Sequence, residues 1–188
     1  MQTTEKEASP LYDPKGIDRF IQTIVGFPKE GVRYRDITGI LDSAEGFKLT
    51  IDGLCELLDG IKVDKIAAPE SRGFIFGAPL AYKLGCALVP IRKTGKLPRE
   101  TVTESYSLEY GTASVSMHVD AISPGDNVVI VDDLMATGGT ALACAHLIER
   151  LGGKVMKILS PVELLGFGAK NGPLKGYDVD SLVKYPDK

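Results

Sequence analysis

The chain has 188 residues, 44% of them hydrophobic and 25% charged, with a formal net charge of −3, the profile of one self-sufficient globular domain. That charge excludes a global footprint for nucleic acid or an anionic membrane surface, so any anion site must be built locally. Three widely spaced cysteines (Cys55, Cys86, Cys144) suggest neither a disulfide framework nor a zinc site and fit a cytoplasmic setting, and no apolar run approaches the roughly 18 residues a membrane helix needs.

Residues 1–14 read as a loose polar tail without the marks of a signal peptide. Ile17, Phe20, Ile21 and Ile24 follow the i, i+3, i+4, i+7 spacing of an amphipathic helix, and Phe47, Ile51, Leu54, Cys55 and Leu58 repeat it. Val63 to Ala68 predicts a strand that runs through Glu70-Ser71-Arg72-Gly73 into a helix ending near Leu84. Ala87 to Ile91 and Ser114 to Val119 predict two further strands, and the segment between them, Arg92 to Thr112, shows little apolar periodicity. Loops that long in a compact domain are usually functional. Arg92, Lys93, Lys96 and Arg99 with Gly95 suit a lid over a polyanion; a β-hairpin arm is the alternative. Val128 to Val131 predicts a strand buried on both faces, Ala141, Ala145 and Ile148 mark the helix after it, and Val155 to Leu159 gives another strand. Alternating strands and helices imply an α/β fold with a mainly parallel twisted sheet flanked by helices.

The central strand ends in Asp132 and Asp133, followed by Leu134, Met135 and the loop Ala136, Thr137, Gly138, Gly139, Thr140. Ligands of open α/β sheets bind beyond the strand carboxyl ends. The backbone N–H groups of Ala136 to Thr140, two Thr hydroxyls and the positive end of the next helix favour a phosphate, and Gly138 and Gly139 let the ligand approach without a Cβ in the way. Ionised carboxylates only accept hydrogen bonds, so the acidic pair makes sense if the ligand also carries a diol. Neither a Walker A motif nor a dinucleotide fingerprint occurs in the chain.

The segment from Val128 to Thr140 resembles the phosphoribosyl-diphosphate (PRPP) motif of the type I phosphoribosyltransferases. Phe27-Pro28-Lys29-Glu30-Gly31-Val32-Arg33-Tyr34-Arg35-Asp36-Ile37, Glu70-Ser71-Arg72-Gly73, Arg92-Lys93-Thr94-Gly95-Lys96 and Ser107-Leu108-Glu109-Tyr110-Gly111 are similar to those of the family's adenine-specific branch, in the same order. The resemblance runs from about residue 15 to the C-terminus. It implies one phosphoribosyltransferase domain over residues 15–188, with a small N-terminal hood at about 15–45 and a flexible lid loop at about 92–112. It implies a transferase that converts adenine and PRPP to AMP and pyrophosphate and is typically a homodimer. A phosphoribosyltransferase for another base, or a non-catalytic regulator on the same fold, are the competing readings.

The resemblance also assigns roles. Ala136 to Thr140 would take the 5′-phosphate, and Asp132 and Asp133 the ribose hydroxyls. Arg72 with the backbone of Glu70 and Ser71, joined by a cis peptide, would take the diphosphate, and Arg92, Lys93 and Lys96 would complete the clamp. Arg33, Tyr34 and Arg35 would form the adenine hood, recognising the base through main-chain atoms, with Tyr34 stacking on one ring face and Leu134 covering the other. The family more often has Phe where Tyr34 stands and a small apolar residue where Arg33 stands. Glu109 would act as general acid–base near N7 of the base, with Tyr110 supporting the closed form. Mg²⁺ would be held mainly by PRPP, with Asp132 or Asp133 as the only protein ligands and no dedicated cage.

Overall fold

The computed structural model describes residues 9–107 and 112–187. After a short 3-10 turn at Ile17–Phe20, strands β1 (Gln22–Val25) and β2 (Arg33–Asp36) pair antiparallel as a separate hairpin, Ile24 opposite Tyr34. Helices α1 (Thr38–Asp42) and α2 (Ala44–Glu56) follow, then β3 (Lys65–Pro69), α3 (Arg72–Leu84), β4 (Ala87–Lys93), β5 (Thr101–Ser107) and β6 (Thr112–His118). The rest is β7 (Asn127–Val131), the short β8 (Leu134–Met135), α4 (Gly139–Arg150), β9 (Lys154–Leu164) and β10 (Val179–Tyr185).

The main sheet runs β10-β9-β7-β3-β4-β6-β5, with β8 beside β9. The five strands from β10 to β4 are parallel, and β6 and β5 extend the sheet antiparallel. Period-2 alternation divides the core between two faces. Val128 and Ile130 of β7 pack with Ala141, Cys144 and Ile148 of α4, whereas Val129 and Val131 pack with Phe76 and Leu80 of α3 and Leu54 of α2. A strand covered on both sides is the reason its sequence is an unbroken apolar run. From β3 the chain crosses through α3 to β4 on one side, and from β7 it crosses through α4 to β9 on the other. The connections therefore diverge between β3 and β7, the crevice where such sheets take ligands.

Two sequence expectations change. The helix expected from Ile17 to Ile24 is a 3-10 turn followed by strand β1, because Thr23, Ile24 and Val25 are stiff β-branched residues that pair with β2 instead of burying a helical stripe. Ile24 and Val25 are exposed accordingly. The tail expected to be loose through residue 14 is tied down at Leu11 and Tyr12, which exchange backbone hydrogen bonds with Lys184 of β10. Among the described residues, no helix is long and apolar enough to cross a membrane.

Candidate active site

Two loops face each other at the divergence of β3 and β7. Glu70 and Ser71, joined by a cis peptide, lead from β3 into α3. A Cβ on Gly73, in the first turn of α3, would lie 2.9 Å from the Val131 carbonyl oxygen and 3.2 Å from Asp132 Oδ1. Only glycine lets this loop close so tightly on the end of β7. Glu70 is held to β4: its Oε2 accepts from Arg92 Nε at 2.7 Å and from the Lys93 N–H at 3.2 Å. Burial works to raise the Glu70 carboxyl, but these bonds outweigh it and hold the group below its ordinary value. The acid thus pins the loop to β4, and Arg92 also donates to the Lys96 carbonyl at 3.0 Å.

On the opposite side, Asp133 donates its N–H to Asp132 Oδ1 at 2.9 Å. Burial raises the Asp132 carboxyl well above the usual carboxylate range, and the neighbouring Asp133 charge raises it further. Asp133 is raised by burial as well, opposed by Arg72, whose Nε lies 2.7 Å from its Oδ2. Two carboxylates this close and this desolvated favour a ligand that donates hydrogen bonds or brings positive charge.

A cleft of about 320 Å³ lies between the loops, lined by Glu70, Ser71, Arg72, Lys93, Asp132, Asp133 and Thr140, together with Tyr106 and Val115. The N-termini of α3 and α4 both open at this edge of the sheet, where helix dipoles and unsatisfied N–H groups attract anions. Ala136, Thr137 and Gly138 connect β8 to α4, whose first residues are Gly139 and Thr140; Thr137 is exposed, and Leu134 and Ala136 pack partly against the α3-side core.

The reading of Gly138 needs correcting. Its φ of +82° makes it the left-handed N-cap of α4, and a Cβ there would meet Leu174 Cγ at 3.0 Å and Ala169 Cβ at 3.1 Å. What excludes a side chain is the protein interior behind the loop, not the path of a ligand.

The hood strand β2 divides its side chains by face. Arg33 and Arg35 both reach Asp187, at 3.8 and 2.8 Å. Arg35, 4% exposed, also lies 3.8 Å from the centroid of the Tyr185 ring. Their side chains therefore anchor the β1–β2 hairpin. Tyr34 points the other way, where its hydroxyl accepts from Arg72 Nη1 at 3.3 Å and its ring meets Phe27 edge-on at 5.2 Å.

Sequence reasoning missed Tyr106. The segment expected as a lid is largely the hairpin β5–β6, paired from Thr101 with His118 to Ser107 with Thr112. This is the arm that the sequence left as an alternative. Tyr106 is on β5 and its hydroxyl accepts from Thr140 Oγ1 at 3.2 Å, linking the arm to the start of α4. The run Thr101, Val102, Thr103, Ser105, Tyr106 has the β-branched and aromatic content of a strand, which could have revealed it. Glu109 and Tyr110 lie outside the described residues.

Comparison with known proteins agrees with this geometry. The phosphoribosyl transferase domain family matches residues 40–181. The adenine phosphoribosyltransferase of Butyrivibrio fibrisolvens is 56% identical over 168 residues, 89% of this chain and 92% of that protein. The crystal structure of adenine phosphoribosyltransferase from Thermoanaerobacter pseudethanolicus superposes with a TM-score of 0.87 at 51% identity, covering 90% of this chain and 98% of that one. The Saccharomyces cerevisiae enzyme, complexed with D-2,5-dideoxy-2,5-imino-altritol 1,6-bisphosphate and adenine, gives 0.82 at 35% identity over 88% of this chain and 96% of its own. Similarity of this extent makes the chain a member of the adenine phosphoribosyltransferase family.

Proposed function

We propose that the chain transfers the 5-phosphoribosyl group of PRPP to adenine, giving AMP and pyrophosphate. The observation that carries this reading is the pairing of an acidic diol-accepting edge, Asp132 and Asp133, with the cationic Arg72 loop across one cleft at the switch point. A sugar diphosphate needs both. The C1–O bond to pyrophosphate breaks as the C1–N9 bond forms, and the base loses its N9 proton. Little covalent chemistry is asked of the protein; it must align the base, neutralise the leaving group and exclude water.

Arg72 and Lys93 are suited to the diphosphate, and the N–H groups of Ala136 to Thr140 to the 5′-phosphate. In this reading the main chain of Arg33 to Arg35 and the Tyr34 ring receive adenine, Leu134 covers its other face, and Glu109 holds or moves the proton near N7. Among the described residues no three His, Cys, Asp or Glu side chains gather as a metal cage. Two carboxylates beside a diphosphate site fit Mg²⁺ carried mainly by substrate oxygens, with Asp132 or Asp133 as protein ligand. Bound there, Mg²⁺ would offset charge on the leaving pyrophosphate.

The same reading includes a cytosolic homodimer. Ile75, Ala78 and Tyr82 form an exposed stripe at i, i+3, i+7 on α3 beside exposed Leu88 and Pro90 on β4, an apolar surface that a second copy would cover. The deciding experiment supplies Mg²⁺ and PRPP with adenine, hypoxanthine, guanine, xanthine and orotate in parallel. AMP from adenine alone is expected; PRPP binding with no product from any base would overturn the proposal.

A further inference from the structure

The fork of Arg72 has two anchors from two different parts of the chain. Its Nε lies 2.7 Å from Asp133 Oδ2 at the end of β7 as an ion pair, and its Nη1 donates to the Tyr34 hydroxyl of the hood at 3.3 Å. A guanidinium carries five N–H donors, and these two contacts leave both of those on Nη2 uncommitted. The Arg72 side chain is about half exposed, whereas that of Asp133 is 7% exposed. One edge of the fork is thus held against a buried acid and the rest is presented to the cleft that Arg72 lines.

Each anchor is itself fixed. The Arg72 backbone cannot move closer to β7, because the next residue, Gly73, is already so near that a Cβ on it would lie 2.9 Å from the Val131 carbonyl oxygen and 3.2 Å from Asp132 Oδ1. The Tyr34 ring is set by its edge-on contact with Phe27 and by the pairing of Tyr34 with Ile24 across the hood hairpin. Rotating the guanidinium about its long stem would cost side-chain freedom that these contacts have already removed. A phenylalanine at position 34 would keep the ring and lose only the hydrogen bond.

We infer that the Tyr34 hydroxyl is a positioning group for Arg72: it holds the guanidinium with its free donors toward the departing diphosphate, so that a hood residue tunes the pyrophosphate side of the site. This rests on the transferase reading, in which Arg72 receives the diphosphate and the Tyr34 ring receives the base. It assigns two separable jobs to one side chain, the ring to adenine and the hydroxyl to Arg72.

The test is Tyr34→Phe in the full chain, alone and combined with Arg72→Lys, which removes the fork while keeping a charge. Titration with magnesium pyrophosphate by calorimetry gives affinity without turnover, and KM values for PRPP and adenine are read beside it. Tyr34→Phe should weaken pyrophosphate and raise the PRPP KM by about three- to tenfold, the range spanned by one hydrogen bond, with the adenine KM moving less than about twofold. In the Arg72→Lys background the same change should have little further effect, because coupled residues are not additive. Unchanged pyrophosphate affinity, a loss confined to adenine, or full additivity with Arg72→Lys would overturn the inference. An unsubstituted chain that neither binds pyrophosphate nor turns over any base would sink the transferase reading itself.

Discussion

Arg72 and Asp133 face each other across 2.7 Å, one from the first turn of α3 and the other from the end of β7. The pair bridges the switch point of the sheet, and the acid it engages is almost fully buried. Removing the Arg72 charge leaves the buried Asp133 carboxylate unmatched, whereas half-exposed Arg72 keeps contact with water when the Asp133 charge is lost.

Asp133→Asn should therefore keep the fold, since the side chain is isosteric, while kcat/KM for PRPP falls by about 10- to 100-fold, as expected when a hydrogen bond to a charged group is lost. Steady-state kinetics with a circular-dichroism melt decides the matter. Wild-type activity in this variant would remove Asp133 from the ribose site.

Glu109→Gln separates chemistry from binding. Loss of a general acid–base should lower kcat by about 100-fold or more, leaving adenine affinity within a few-fold. The opposite pattern, intact kcat with weak adenine binding, would make Glu109 a contact residue.

Gly138→Ala should act on stability first. A left-handed φ costs about 1–3 kcal/mol for a residue with a Cβ, and that Cβ would press on Leu174 and Ala169. The melting temperature is expected to drop while the folded fraction keeps its PRPP KM. A lost KM at unchanged melting temperature would restore the view that this glycine is kept clear for the ligand.

That difference illustrates what was legible in the chain. β7 and α4 were readable because strand burial and helical periodicity are local patterns, and the cleft followed from where the Asp pair stands on them. What a Cβ at Gly138 would meet depends on Ala169 and Leu174, some thirty positions away, so that neighbour was not legible in the local sequence. The apolar spacing from Ile17 to Ile24 fitted a helix, but pairing with Arg33–Asp36 decided the outcome. The joint roles of Arg33 and Arg35 at Asp187 were likewise invisible, because no local pattern links residue 35 to residue 187.

The acid limb of stability should come partly from Asp64 and Asp126. Asp64 is held below its ordinary pKa by the Asn127 N–H at 2.9 Å, and Asp126 by Lys65 at 2.9 Å. A depressed carboxylate contributes stability above its unfolded pKa of about 4, and that contribution disappears as pH falls through the lower folded value. Melting temperature should hold from pH 7 to about 5 and decline below about 4. An Asp64→Asn, Asp126→Asn double variant should show a shallower decline, and an equally steep one would refute the assignment.

Asp187→Asn tests the hood anchor. Breaking a buried ion pair costs roughly 3–5 kcal/mol, and partial exposure of Asp187 lowers the expectation to about 2 kcal/mol. Because the anchored strand carries Tyr34, the adenine KM should rise with the loss of stability. A destabilised variant with an unaltered adenine KM would show that the hood keeps its shape without this contact.

The distance along the chain between Arg35 and Asp187 has a consequence for synthesis. The two are 152 positions apart, and the Tyr185 ring that lies against the Arg35 guanidinium also comes from the far strand of the sheet. While the ribosome is still adding the central strands, Arg35 has neither its counter-ion nor its aromatic support. The segment around Arg35 must wait for residues made about 150 positions later before its buried cation is matched. The crevice can close around its two loops first, and the β1–β2 hairpin is anchored only once β10 and the residues just after it are in place.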